Sequence, residues 1–219
     1  MFFADAPSRC WDNNVRKIQI FLPYTLIDKE TKLIDQWSVD DNVPEHCKSI
    51  FGTECEVSVR FTDRLKQIKK PDPYFAKYKA KWRRLVNQTG IKADNIFHAL
   101  GTGSYRKLFK QIDPDRIIAV RLIELLQASK RGSVMEAFYY AGIPIAFWMR
   151  SGAENLGQGT LQEIYQNCTC WSQLPGAVRE KRSEAWEEED ETHIGNHLSL
   201  LWDDPNLVPP KHLLQLPES

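Results

Sequence analysis

The apolar and polar positions divide this chain into an irregular front and a regular back. In the front, Ile18–Leu22 predicts a strand stopped by Pro23, and Cys55–Phe61 alternates with the period of two that marks a half-buried strand. After Pro71-Asp72-Pro73, the spacing of Phe75, Tyr78, Trp82 and Leu85 predicts a helix over 74–87, with Lys77, Lys79, Lys81, Arg83 and Arg84 covering its other faces and Gly90 as the stop. From Ile96 onward short apolar runs alternate with helical stretches. Ile96–Leu100 predicts a strand, the turn Gly101–Ser104 leads into a short helix ending at Gln111, and Ile117–Leu122 predicts a buried strand. The continuation Ile123–Ala128 leaves one long helix open as the alternative there. Ser133 is read as the cap of a helix running to Ala141, ended by Gly142 and followed by a strand over Ile143–Trp148. Helices over 160–167 and 176–186 then lead through the acidic run Glu187–Glu191, read as a solvated loop, to a last strand, Leu198–Trp202.

Strands separated by helices at this spacing imply βαβ units. The predicted class is α/β: a mostly parallel sheet with helices on both faces and an irregular N-terminal part. Near-continuous apolar strands fit that class, because parallel strands are covered on both sides. One domain over 1–219 is expected: 1–15 a disordered or truncated lead-in, 16–90 the irregular front, 91–210 the βαβ part, and 211–219 a tail.

Composition narrows the function classes. The 219 residues are 42% apolar and 26% charged, with seven Trp and ten Phe to build a core. Lys and Arg number 29 against 29 Asp and Glu, a balance that argues against a general affinity for nucleic acid. No stretch approaches the roughly 18 apolar residues of a membrane span, and Asp5 and Arg9 interrupt any signal-peptide core. Five cysteines, with Cys168-Thr169-Cys170 too closely spaced for a C-x-x-C site, suggest reduced thiols and a cytoplasmic protein.

The chemistry most visible in the sequence is at the end of the last strand, where Trp202 gives way to Asp203-Asp204-Pro205. Ligands of open α/β sheets collect beyond the carboxyl ends of strands. Two acids there could hold Mg²⁺, act as an acid/base pair, or serve as a turn that caps backbone N–H groups. Four arginines form a second group: Arg60, Arg64, Arg121 and Arg150. An arginine in buried sequence requires a partner, and Asp35, Asp63, Asp203 and Asp204 are the candidates. The alternative is an anion site, since guanidinium forks suit phosphate or carboxylate. If Arg150 and Asp203/Asp204 end neighbouring parallel strands, they share one crevice, with Asp35 and Trp37 near it when the front loop folds over.

Other motifs carry weaker signals. Gly101–Ser104 lacks both complete glycine-rich phosphate-binding patterns, so Ser104 or Thr102 is expected to cap the following helix. His193 and His197 have metal-ligand spacing, but Gly195 between them disfavours the helix it needs. His46-Cys47 with Cys55 is a poor catalytic pair, no G-x-S-x-G elbow is present, and Trp82, Trp148 and Trp202 are assigned to the core.

Taken in order, several landmarks resemble one family. They are Phe21-Leu22-Pro23, Asp35-Gln36-Trp37, Val57 to Arg64, Trp82-Arg83-Arg84, the Gly-x-Pro-x-x-x-Trp-x-Arg stretch from Gly142 to Arg150, Leu174-Pro175 with Val178, Arg179 and Arg182, and Leu200 to Pro205 with Pro209-Pro210. Together they resemble the C-terminal domain of vWA-MoxR associated proteins. The resemblance implies a module of bacterial conflict or defence systems, placed at the C-terminus of larger proteins behind effector-associated or trypsin-like peptidase modules. It also implies a MoxR-type AAA+ ATPase and a vWA protein as partners. The family has more sheet-like sequence ahead of the Phe-Leu-Pro landmark than the twenty residues found here. The chain is thus expected to be either a fragment or a short member, with a sheet edge left for a partner to cover.

Two function classes follow. The first is an interaction and signal-coupling domain. The alternative is a metal-dependent hydrolase or phosphotransfer domain using Asp203/Asp204 with arginines on an anionic substrate, and a weaker third is a sensor that binds a small anion without turning it over. An enzyme should place both carboxylates and an arginine in an open cleft. A binding module should bury them as matched pairs and present an apolar or edge-strand surface.

Overall fold

The computed structural model of the chain describes residues 16–27, 36–40, 42–44, 48–66, 72–87, 96–122, 127–150, 164 and 168–207. Each expected strand forms within them: β1 Arg16–Leu22, β2 Cys55–Phe61, β3 Phe97–Leu100, β4 Ala119–Leu122, β5 Ile145–Met149 and β6 Leu198–Trp202. The helices among the described residues are α1 Phe51–Glu54, α2 Thr62–Lys66, α3 Pro73–Asn87, α4 Tyr105–Ile112, α5 Ala128–Tyr140 and α6 Leu174–Glu187. Short 3-10 turns occupy Trp171–Gln173 and Ile194–Asn196. The helix expected over 160–167 lies outside the described residues except at Ile164.

Local chemistry explains most boundaries. α3 starts where Asp72 accepts the N–H of Phe75 at 2.7 Å, with Pro73 in the first turn, where its missing N–H costs nothing. Its stripe Phe75, Tyr78, Trp82 and Leu85 is buried as expected, and Lys81 is buried with it. α5 begins at Ala128, five residues before the expected cap Ser133, and runs through Gly132. Packing of its apolar face outweighs the cost of about 1 kcal/mol for a glycine inside a helix. α6 likewise begins at Leu174, ahead of Gly176.

The strand order is β1-β2-β6-β5-β4-β3. β1, β2 and β6 run one way, while β5, β4 and β3 run the other. The single antiparallel contact joins β5 to β6, from Ile145↔Trp202 to Met149↔Leu198. Alternation along β5 feeds two cores. Ile145, Phe147 and Met149 pack with Trp82 and Leu85 of α3 and Leu174 and Val178 of α6. Ala146 and Trp148 pack on the other face with Leu108 and Ile112 of α4 and Val134 and Phe138 of α5. Helices therefore cover both faces.

The seam between β2 and β6 is thin in backbone pairing, with Val59↔Leu201 its one matched position. Side chains reinforce it. Arg182 of α6, buried beneath the sheet, donates from Nη1 to the carbonyl of Val57 and from Nη2 to that of Leu198, each at 3.2 Å. α6 can approach this closely because of Gly195, where a Cβ would lie 1.9 Å from the carbonyl oxygen of Lys181. A second close approach is at Gly142, which has φ +67 and no room for a Cβ against the backbone of Tyr78.

Candidate functional site

Asp203 follows β6 directly, and Arg60 and Arg64 lie at the end of β2 and in the turn of helix that continues it. These parallel strands carry the three side chains to one edge of the sheet, where Asp203 is only 1% exposed. Arg60 Nε donates to Asp203 Oδ1 at 3.0 Å, and Arg64 Nη1 donates to Oδ2 at 2.9 Å. Tyr78 reaches in from α3, donating its hydroxyl to the Asp203 carbonyl at 2.7 Å and toward Oδ1 at 3.2 Å. The backbone N–H of Phe61 approaches Oδ2 at 3.5 Å. Both carboxylate oxygens are thus engaged.

Most of the remaining guanidinium protons also find acceptors. Arg60 Nη1 donates to Gln19 Oε1 at 2.9 Å and to the Leu207 carbonyl, and Nη2 donates to the Asp204 carbonyl. Arg64 donates to the carbonyls of Ile143 at 3.0 Å, Phe138 at 3.1 Å and Tyr139 at 3.4 Å. Two guanidinium groups share one carboxylate, so the cluster carries an excess of positive charge. The last carbonyls of α5, the negative end of its dipole, offset that charge. The rings of Tyr78 and Phe61, 4.2 and 4.7 Å from the Arg64 carbon, add cation–π attraction. Burial, with the Asp203 charge beside it, raises the Tyr78 hydroxyl well above its usual 10.0 and keeps it a donor.

Asp204, the next residue, faces elsewhere. Its Oδ1 accepts the Asn206 N–H at 2.8 Å and its carbonyl accepts that of Leu207 at 3.2 Å, a local turn ahead of the exposed Leu207. Asp63 accepts the N–H of Tyr24 at 3.1 Å.

Arg150 does not join this group. β5 is antiparallel to β6, so Arg150 pairs backbone to backbone with His197, while Asp203 pairs with Pro144 at the other end. Five strand residues separate the two ends, a span on the order of 20 Å. The shared crevice expected from parallel neighbours is therefore absent. Arg150 instead donates to the Asn196 carbonyl at 3.1 Å, which also accepts from Gln36 at 3.2 Å. Trp37 belongs to that end too, packing beside Ile20, Cys55 and Val57. Asp35, His46 and Cys47 lie outside the described residues. Arg121 sits in β4 with Nη1 buried and no acceptor for it among the described residues.

The weaker motifs resolve into local structure. Thr102 Oγ1 accepts from Lys130 at 3.2 Å, while Ser104, at the α4 cap position, makes no side-chain cap bond. His193 Nδ1 accepts the Gly195 N–H, and His197 Nε2 meets the Glu191 carbonyl at 2.7 Å. Among the described residues, no three His, Cys, Asp or Glu side chains are grouped to hold a metal. Trp82, Trp148 and Trp202 are buried.

Two features escaped the sequence reading. Lys81, expected on the outer face of α3, is wholly buried and donates to the Ile112 carbonyl at the end of α4 at 2.7 Å. Burial lowers its pKa from 10.5 to about 7. The other is a tyrosine surface. The ring of Tyr140 contacts those of Tyr74 (4.9 Å), Tyr139 (5.1 Å), Tyr24 (6.2 Å) and Tyr105 (6.3 Å). Tyr74 is 42% exposed, and Leu26, close to Tyr24 in sequence, is 39% exposed. These residues come from four separate segments, and only the Tyr139-Tyr140 doublet hinted at them.

Fold and site define an α/β domain whose most conspicuous charged residues hold strands and helices together. A family model, the vWA-MoxR associated protein C-terminal domain, matches residues 3–205, and the chain belongs to that family. Searches of curated proteins and of solved structures found no match. Among the described residues, no helix is long and apolar enough to cross a membrane.

Proposed function

We propose that this chain is a cytoplasmic interaction and signal-coupling domain of a bacterial conflict system, folded as one domain and working with a MoxR-type AAA+ ATPase, a vWA protein or an attached effector. The observation that carries this reading is the closure of the arginine–aspartate cluster. Both carboxylate oxygens are taken up by the arginines, and most guanidinium protons by Asp203, Gln19 and backbone carbonyls, the arrangement of a scaffold. Family membership supplies the context.

The tyrosine surface around Tyr74, Tyr105 and Tyr140 is the contact region in this reading. Tyr74 is exposed and Tyr105 and Tyr140 are partly so, and tyrosines give a large apolar area with a polar tip at low entropic cost, the composition favoured at protein interfaces. The test is calorimetric titration of the chain with the vWA protein and with the ATPase encoded beside it. Saturable binding to one of them is expected, weakened at least about tenfold, or 1.4 kcal/mol, by Tyr74→Ala combined with Tyr105→Ala. Binding to neither, or binding indifferent to the double variant, overturns the reading. A Mg²⁺-dependent rise in the unfolding midpoint, abolished by Asp204→Asn, would instead favour the hydrolase or phosphotransfer alternative.

A further inference from the structure

β1 is the outermost strand on its side of the sheet. All seven of its residues pair inward with β2, from Arg16↔Cys55 to Leu22↔Phe61, and among the described residues nothing pairs with its outer side. Such an edge presents a row of free N–H and C=O groups, which proteins usually guard with proline, bulges or charges. β1 contains no proline, its register with β2 is unbroken, and its two charged residues, Arg16 and Lys17, sit together at its start. The small core beside it is open toward the edge. Ile20, Cys55 and Val57 are buried, whereas Ile18, Leu22, Trp37 and Phe51 are only partly so.

We propose that the outer edge of β1 is a homodimer interface, where a second copy of this chain pairs antiparallel about a two-fold axis at Gln19 and joins two six-stranded sheets into one. A two-fold interface must be self-complementary, and the β1 sequence is. Centring the pairing on Gln19 uses all seven residues. Ile18 then faces the partner's Ile20, Lys17 faces the partner's Phe21, and Arg16 faces the partner's Leu22. No like charges meet, and the aliphatic pairs extend the half-open core across the axis. Lys17, held by Glu56 at 3.4 Å on the neighbouring strand, meets an aromatic ring as cations favour. Gln19 meets the same residue of the second copy; its Oε1 accepts from Arg60 at 2.9 Å, which leaves its N–H₂ group to donate across the axis.

The measurement is sedimentation equilibrium of the full chain across a concentration series, alongside two variants. The expected result is a species of twice the chain mass, lost in Ile18→Lys, whose unfolding remains cooperative in a separate melt. Gln19→Cys should form a disulfide-linked dimer under mild oxidation, with peptide mapping placing the link between the two position-19 peptides. That variant decides the matter if Ile18→Lys fails to fold. A monomer at every concentration, a dimer indifferent to a folded Ile18→Lys, or an oxidised Gln19→Cys chain without the position-19 link would each overturn the proposal.

Discussion

Replacing Asp203 with asparagine isolates the work of the buried cluster. The change preserves shape but removes the one carboxylate between Arg60 and Arg64, and it turns an N–H₂ group toward a guanidinium that also only donates. Both arginine side chains are nearly inaccessible, at 3% and 4% exposure, so solvent cannot make good the loss. Removing one partner of a buried pair costs about 3–5 kcal/mol. Against a typical total stability of about 5–15 kcal/mol, that is a large fraction. For a chain of this length it should lower the unfolding midpoint by about 6–20 °C. The assay is urea and thermal unfolding of Asp203→Asn beside Asp204→Asn, whose half-buried turn should cost no more than about 1 kcal/mol. A double-mutant cycle with Arg64→Met should show a coupling of about 0.5–3 kcal/mol. If Asp203→Asn unfolds with the wild type, or the two aspartates prove equally sensitive, the cluster does not hold this edge together.

The other predictions concern single contacts. Lys81 has a folded pKa near 7, below its unfolded 10.5, so the unfolded state binds the extra proton between those values. Stability should therefore rise with pH from about 7 toward 10.5, by at most about 1.4 kcal/mol per pH unit. Lys81→Met should flatten that rise in urea midpoints measured from neutral to alkaline pH, and an unchanged slope would count against a neutral buried lysine. Gly195→Ala forces a methyl group into the Lys181 carbonyl and should destabilise by at least about 1–3 kcal/mol in the same melts. Arg182→Met removes the fork across β2 and β6 and should speed hydrogen exchange in those strands more than in β3 and β4.

Much of the fold is legible because its signals are local. The apolar runs place all six strands to within two residues at each end, and the α3 stripe marks its buried face. Strand direction is different. Nothing in the pattern of Leu198–Trp202 says that it runs against β5, since both are apolar at nearly every position and buried on both faces. That one reversal decides which arginines meet Asp203 and sends Arg150 to the far end. The tyrosine surface is hidden for the same reason, being assembled by packing from residues far apart in sequence. Lys81 was within reach: it lies three residues beyond Tyr78 and four before Leu85, on the apolar spacing itself, and its charge masked its position.

The order of the strands bears on how the chain comes to be folded. β6 is the last of the six described strands to be synthesised and lies between β2 and β5, in the interior of the sheet. Until it leaves the ribosome, the β1–β2 pair and the β3–β4–β5 unit each have an apolar edge that none of the other described strands fills. A nascent chain stopped before residue 198 therefore holds two incomplete pieces of one sheet, open to association with other chains. Only Leu198–Trp202 joins the two pieces into one sheet, and Asp203, arriving directly behind it, closes the cluster that ties the strand to β2.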